Sequence, residues 1–208
     1  MKYIFFKALL CSSILLKAQG DTVNIADANG LKQGYWLITA AMKPTTGFKN
    51  EQIVEQGKYI DNKKTGIWIT YWPNNNVKSE VEYKNNRPNG KFRTYYKHGW
   101  IEEEGSWKNV VIGSFKRYYP NGVLANEKTF NAAGKTEGMT IYYYINGHKE
   151  IEFFIKDGNK HGELISYYTN GDTNKIEQYS NGILLSSRTK KIIRPEVIIP
   201  EKIFLTII

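Results

Sequence analysis

Two knots of carboxylates are the first residues in the chain that could do chemistry: Glu102, Glu103 and Glu104, then Glu150 and Glu152. Paired carboxylates can run general acid–base chemistry or cleave glycosidic bonds. Catalysis needs an asymmetric set gathered at one place. Here glutamate instead returns at one position of a recurring pattern, as Glu80, Glu104, Glu127 and Glu152, with Glu177 one residue out of step. A residue that every unit carries serves what every unit shares, and the expected role is a cross-strand hydrogen bond or ion pair. His98, His148 and His161 each stand beside a glycine in a predicted turn, with no cysteine or second histidine at metal-ligand spacing, and are expected to be solvated. No Gly-rich phosphate loop, nucleophile elbow or His-Glu helix motif is present. The expectation is a non-enzymatic protein with no catalytic, cofactor-binding or metal residues.

Aromatic side chains offer a different chemistry. The chain carries 15 Tyr, 9 Phe and 5 Trp, and flat rings can stack on sugars, bases or lipid headgroups. Ten of them form two series, Tyr71, Tyr95, Tyr118, Tyr143 and Tyr167, each followed directly by Trp72, Tyr96, Tyr119, Tyr144 or Tyr168. These are the candidate binding surface. The competing role is packing within a sheet, and the two differ in whether the rings stay exposed as one contiguous patch.

The elements that must position these residues emerge on aligning Gly66, Gly90, Gly113, Gly138 and Gly162, which are spaced by 24, 23, 25 and 24 residues. The paired aromatics are the fifth and sixth residues after each glycine. The second is Trp68, Phe92, Phe115, Thr140 or Leu164. At the eighth and ninth positions stand Asn74-Asn75, His98-Gly99, Asn121-Gly122, Asn146-Gly147 and Asn170-Gly171, read as two-residue turns whose residues both tolerate positive φ. The chain then returns through the glutamate to Tyr83, Trp107, Phe130, Ile155 or Tyr179, and Asn85-Asn86, Asp157-Gly158 and Asn181-Gly182 open the turn into the next unit. Upstream, Gly34-Tyr35-Trp36 begins a degenerate sixth unit lengthened by an insertion over residues 44–50, expected to be a tolerated surface loop.

A lone hairpin of about 24 residues cannot bury its own apolar face, so such units stack. The expected architecture is all-β, an elongated open antiparallel sheet of about six tandem hairpins. The second and sixth residues should share a face, because side chains alternate along a strand.

The unit Gly-x-Trp/Phe-x-x-Tyr-Tyr-x-Asn-Gly, returning through Glu and an aromatic, resembles the bacterial MORN-repeat-variant family, often labelled YwqK-type antitoxin, over about residues 30 to 185. Units led by Gly66, Gly113 and Gly162 fit best, and the unit led by Gly138 departs most. The resemblance implies a sheet of hairpins used for protein or membrane contacts; the antitoxin label further implies a cognate toxin partner.

The ends differ from the middle. Residues 1–20 read as a signal peptide, with Lys2 and Lys7 before an apolar run and small residues at Ala18 and Gly20. Removing them leaves no cysteine and takes the formal charge from +9 to +6, of which the tail holds +3. Residues 21–187, the repeat domain, are thus nearly balanced, which argues against nucleic acid as a partner. Residues 188–208 lose the pattern and turn isoleucine-rich around Pro195 and Pro200; length and charge exclude a membrane span, and the tail is expected to cap the last sheet edge. Together these features describe an exported protein of the periplasm or cell surface. It would bind a protein or cell-envelope surface, or make glycan or membrane-surface contacts.

Overall fold

The structure is a computed structural model that describes residues 22–190. Within them every regular element is a strand: β1 (Ile25–Ala26), β2 (Lys32–Thr39), β3 (Ile53–Ile60), β4 (Lys63–Tyr71), β5 (Val77–Lys84), β6 (Arg87–Tyr95), β7 (Ile101–Lys108), β8 (Val110–Tyr118), β9 (Leu124–Phe130), β10 (Thr136–Tyr143), β11 (Lys149–Lys156), β12 (Asn159–Tyr167), β13 (Thr173–Ser180) and β14 (Ile183–Thr189). They form one open antiparallel sheet in which spatial order equals chain order. The hairpins β2–β3 through β12–β13 are the expected six units, led by Gly34, Gly66, Gly90, Gly113, Gly138 and Gly162. The strand β14 runs to Thr189, two residues into the segment read as tail. The signal-peptide reading, and the cap reading beyond Lys190, fall outside the described residues.

Each leading glycine has positive φ, from 66° at Gly66 and Gly113 to 122° at Gly90. At Gly66 the strand bulges, so that Gly66, Ile67 and Trp68 stand against Gly57 alone on β3. A bulge of this kind needs left-handed backbone, which a Cβ disfavours. The bulge lays the second-position ring over the neighbouring strand. A Cβ added at Gly57 would meet the Trp68 ring at 2.4 Å, and one at Gly105 would meet Phe92 at 2.8 Å.

The two kinds of turn differ from each other. Between units, Asp61-Asn62, Asn85-Asn86, Asp157-Gly158 and Asn181-Gly182 have positive φ at both residues, the signature of tight two-residue turns matched to strand twist. Within units the expected two-residue turn is not found. Trp72 N–H donates to Asn76 O (2.8 Å) and Asn75 N–H to Trp72 O (2.9 Å), and Tyr96, Tyr119, Tyr144 and Tyr168 repeat the pattern. This is a three-residue loop with one left-handed residue at its end, Asn75, Gly99, Gly122, Gly147 or Gly171. The asparagine before it is kept for its side chain: Asn74, Asn121, Asn146 and Asn170 each accept through Oδ1 from the N–H two residues on (3.0–3.2 Å).

A sheet one layer thick buries little. Among the described residues the one cluster of buried residues lies at the β2–β4 end, where Trp36, Ile38, Ala40, Val54, Tyr59 and Trp68 pack together with Phe48 and Tyr83 against them. Phe48 comes from the insertion and anchors it, while the rest of residues 44–50 are exposed, as expected of a surface loop. Elsewhere single residues are covered, Phe92, Leu164 and Thr140. Thr140 fills the aromatic's place with its Oγ1 unbonded.

The two outer edges differ. At the β2 edge the two-residue β1 stops early, and the Asn24 amide both donates to Leu37 O (3.0 Å) and accepts from Leu37 N–H (2.8 Å), as a paired strand would. At the far edge β14 is seven residues long and exposed throughout, with Ile183, Leu184 and Leu185 in the open.

Candidate functional site

Strand register sorts the repeated residues onto two faces. The first, third and fifth residues after each glycine share a face with the glutamates, and the second and fourth lie opposite. On the glutamate face one row crosses the sheet in continuous pairing, Leu37, Gln56, Ile69, Glu80, Arg93, Glu104, Lys116, Glu127, Ile141, Glu152, Ile165, Ile176 and Arg188. The centre of the row alternates in charge, and Arg93 Nε donates to Glu104 Oε2 at 3.1 Å. In the last unit Ile176 occupies the row; Glu177 points to the other face and pairs with Lys175.

The fifth-position tyrosines reach back to this row. Tyr95 donates to Glu80 (3.1 Å), Tyr118 to Glu104 (2.9 Å), Tyr143 to Glu127 (2.7 Å), and Tyr167 to Glu152. For Tyr71 the corresponding place in the row is held by Gln56, which pairs with Ile69, and Tyr71 makes no such bond among the described residues. Burial, with the facing glutamate adding to it, pushes the phenols of Tyr95, Tyr118 and Tyr167 up to about 12 and raises Tyr143 further. They stay protonated donors across the physiological range. Glu152 is held below the usual carboxylate range, because Lys149 and the Tyr167 hydroxyl outweigh the opposing effect of burial.

The sixth-position aromatics reach forward. Trp72 Nε1 donates to Tyr95 O (3.0 Å), Tyr96 to Tyr118 O (2.7 Å), Tyr119 to Tyr143 O (2.8 Å), and Tyr144 to Tyr167 O (2.8 Å). A third series joins the hairpin tips: Asn74 Nδ2 to Lys97 O, His98 Nε2 to Pro120 O, Asn121 Nδ2 to Ile145 O, and Asn146 Nδ2 to Thr169 O, at 2.7–3.2 Å. A carbonyl only accepts, so the His98 Nε2 carries the proton. His98 also lies parallel to Tyr96, centroids 5.5 Å apart, and His148 Nδ1 bonds Thr169 O at 3.0 Å. These two histidines were expected to be merely solvated; they are exposed, yet they tie neighbouring tips together.

All ten candidate aromatics are therefore half-buried, and most of their polar atoms are spent within the sheet. What they leave outward is ring surface. Among the described residues no three His, Cys, Asp or Glu come together as a metal site.

One recurring feature escaped the sequence reading. Two residues before the glycine, Lys32, Lys64 and Lys160 each lay an ammonium over two rings, Trp36 and Tyr59, Trp68 and Tyr83, Phe153 and Tyr179, at 4.0–5.6 Å. The shared Lys-x-Gly spacing was the available signal. Lys64 also bonds the buried Glu55 (2.8 Å), with Lys43 on its other oxygen (3.0 Å), and the two cations hold that carboxyl low against burial.

Fold and contacts define a repeat protein whose units are single hairpins clasped to their neighbours by side chains. Four of its segments, residues 64–85, 88–109, 112–132 and 160–186, match the family model of the MORN repeat variant. The hairpin led by Gly138 lies outside those segments, in keeping with Thr140 at its second position. No curated protein matches the chain.

Proposed function

We propose that this chain is an exported, non-enzymatic scaffold module whose sheet binds a protein or cell-envelope surface in the periplasm or at the cell surface. The observation that carries this reading is the use of the repeated polar groups. The glutamates, tyrosines and tip asparagines bond to one another between units, and a group that holds the scaffold together is not poised for chemistry. A one-layer sheet also offers much surface and little enclosed volume, which suits an extended partner better than a small substrate. MORN repeats commonly serve as protein- or membrane-binding modules, and the four matched segments support that class of role. Two ring surfaces are assigned to the partner, that of Tyr71, Tyr95, Tyr118, Tyr143 and Tyr167 on the glutamate face and that of Trp72, Tyr96, Tyr119, Tyr144 and Tyr168 on the opposite face.

The test is cross-linking of a tagged full-length chain in its host, followed by fractionation and identification of what it holds. Several envelope proteins, or one envelope surface, support the scaffold. One stoichiometric toxin would replace it with a masking, antitoxin-like role. Recovery of an uncleaved chain in the cytoplasm would remove export.

A further inference from the structure

The insertion in the first unit is the place where added chain breaks the repeat, and it builds something the other hairpins lack. Its loop folds onto the tip of the β4–β5 hairpin. The Gln52 amide donates to Pro73 O and to Asn75 Oδ1, each at 3.0 Å. Gly47 lies against Pro73, where an added Cβ would come within 3.4 Å of Cγ. Phe48 anchors the loop in the core. Between loop and hairpin lies a groove of about 330 Å³, at the small end of the range for ligand sites and of a size for one or two sugar rings.

Its walls have a definite chemistry. Trp72 presents an indole whose Nε1 is already donated to Tyr95 O, so the plane of the ring is held before any ligand arrives. Trp72 is also the single tryptophan at the sixth position, where the units led by Gly90, Gly113, Gly138 and Gly162 have tyrosine. Lys78 Nζ lies 4.7 Å from the centre of that ring and has no carboxylate partner among the described residues. Lys43 stands across the groove with its side chain largely exposed. Thr45 and Thr46 add hydroxyls from the loop. The one carboxylate in its lining, Glu55, is shared by Lys43 and by Lys64, which lies outside the groove, so the lining itself carries two ammonium groups, Lys43 and Lys78, against a single carboxylate.

We propose that this groove binds an acidic saccharide, a pyranose ring bearing a carboxylate. The C–H face of the sugar stacks on Trp72, its carboxylate pairs with Lys78 and Lys43, and its hydroxyls meet Thr45 and Thr46. Lys78 is held over the indole by ring attraction alone and is free to turn toward the carboxylate. Charge decides for this ligand over a neutral sugar, since the groove carries excess positive charge that a neutral ring would leave unpaired. The proposal rests on the reading of the chain as a cell-envelope binding module and names one ligand class for it.

Isothermal titration of the purified full-length chain with tri-galacturonic acid, against maltotriose as the neutral control, tests it. The expected result is saturable one-to-one binding of the acid, weakened at least tenfold in Lys78→Glu and in Trp72→Phe, each variant first shown to keep the wild-type melting temperature. Lys91→Glu, on the opposite face, should leave the affinity unchanged. Should Trp72→Phe lose stability, Lys78→Glu alone decides. Absence of saturable binding, equal binding of maltotriose, or full affinity in Lys78→Glu overturns the proposal. If binding is absent while cross-linking still recovers an envelope protein, the groove assignment falls and the scaffold reading stands.

Discussion

The Tyr118 hydroxyl donates to Glu104 at 2.9 Å across the boundary between two repeats, while the Arg93 guanidinium takes the other oxygen of the same carboxylate at 3.1 Å. One carboxylate thus joins residues of two hairpins. Replacing Tyr118 by Phe keeps the ring and removes the donor. The expected loss is about 1 kcal/mol, since the pair is half-buried and Arg93 remains. Urea unfolding should show a lower midpoint with an unchanged slope, and an equal midpoint would show the bond to be without consequence.

Alkaline pH acts on all these tyrosines together. Their folded phenols lose the proton at higher pH than they would in the unfolded chain, whose value lies near 10. A pKa raised by folding contributes stability that is complete below the unfolded value and is lost as pH climbs toward the folded one. Stability should therefore fall between about pH 10 and pH 12. The combined Tyr95, Tyr118, Tyr143 and Tyr167 to Phe variant should flatten that fall. At the acid end Glu152, lowered by folding, contributes stability above its unfolded value, lost as pH drops through the folded one.

Glycines of two kinds should fail for different reasons. Gly113 has φ of 66° and open space around a would-be Cβ, so Gly113→Ala stores backbone strain alone, about 1–2 kcal/mol. At Gly57 the backbone is ordinary, but a methyl would strike the Trp68 ring. Gly57→Ala should cost about 1–3 kcal/mol and also shift the near-ultraviolet circular dichroism of that tryptophan, a change Gly113→Ala should lack.

At the hairpin tips the asparagine amide works at both ends. Asn146 Oδ1 accepts from His148 N–H within its own loop (3.1 Å), and Nδ2 donates to Thr169 O in the next (2.7 Å). Asn146→Asp keeps the first bond and loses the second; Asn146→Gly loses both. Thermal melts should rank wild type above Asp and Asp above Gly, in steps of about 1 kcal/mol. By contrast Asn181, at φ of 48° in a tight turn between units, should accept glycine with little change.

The fold was legible because glycine, paired aromatics and turn residues recur at fixed offsets, and hairpins with that periodicity stack in one order. The unit led by Gly138 kept its place although Thr140 replaces the ring. The turn chemistry was half legible. Asn-Gly reads the same whether asparagine is wanted for its φ, as at Asn181, or for its amide, as at Asn146, and only the hydrogen-bond partner separates the two. Counting residues put Glu177 one place out of step with the other glutamates, and strand alternation gives that step its meaning: Ile176 holds the row, because a shift of one residue reverses the face. The Lys64 and Lys160 contacts went unread, since a lysine beside a turn looks like any solvated charge until its partner strand is known.

The unlike edges give the sheet a direction. Asn24 occupies the backbone groups that a strand arriving beside β2 would need, so new chain cannot readily be laid down there. Among the described residues β14 has no strand beside it on its outer side, and its apolar side chains are at hand. A length of the glycine-led pattern spliced in after Thr189 would meet a ready template, and the same length spliced in before Ile25 would meet a stopper. The array can be lengthened from one end only, as a zip closes in one sense, and a library of lengthened and shortened chains should be soluble and folded only when units are added or removed at the β14 side.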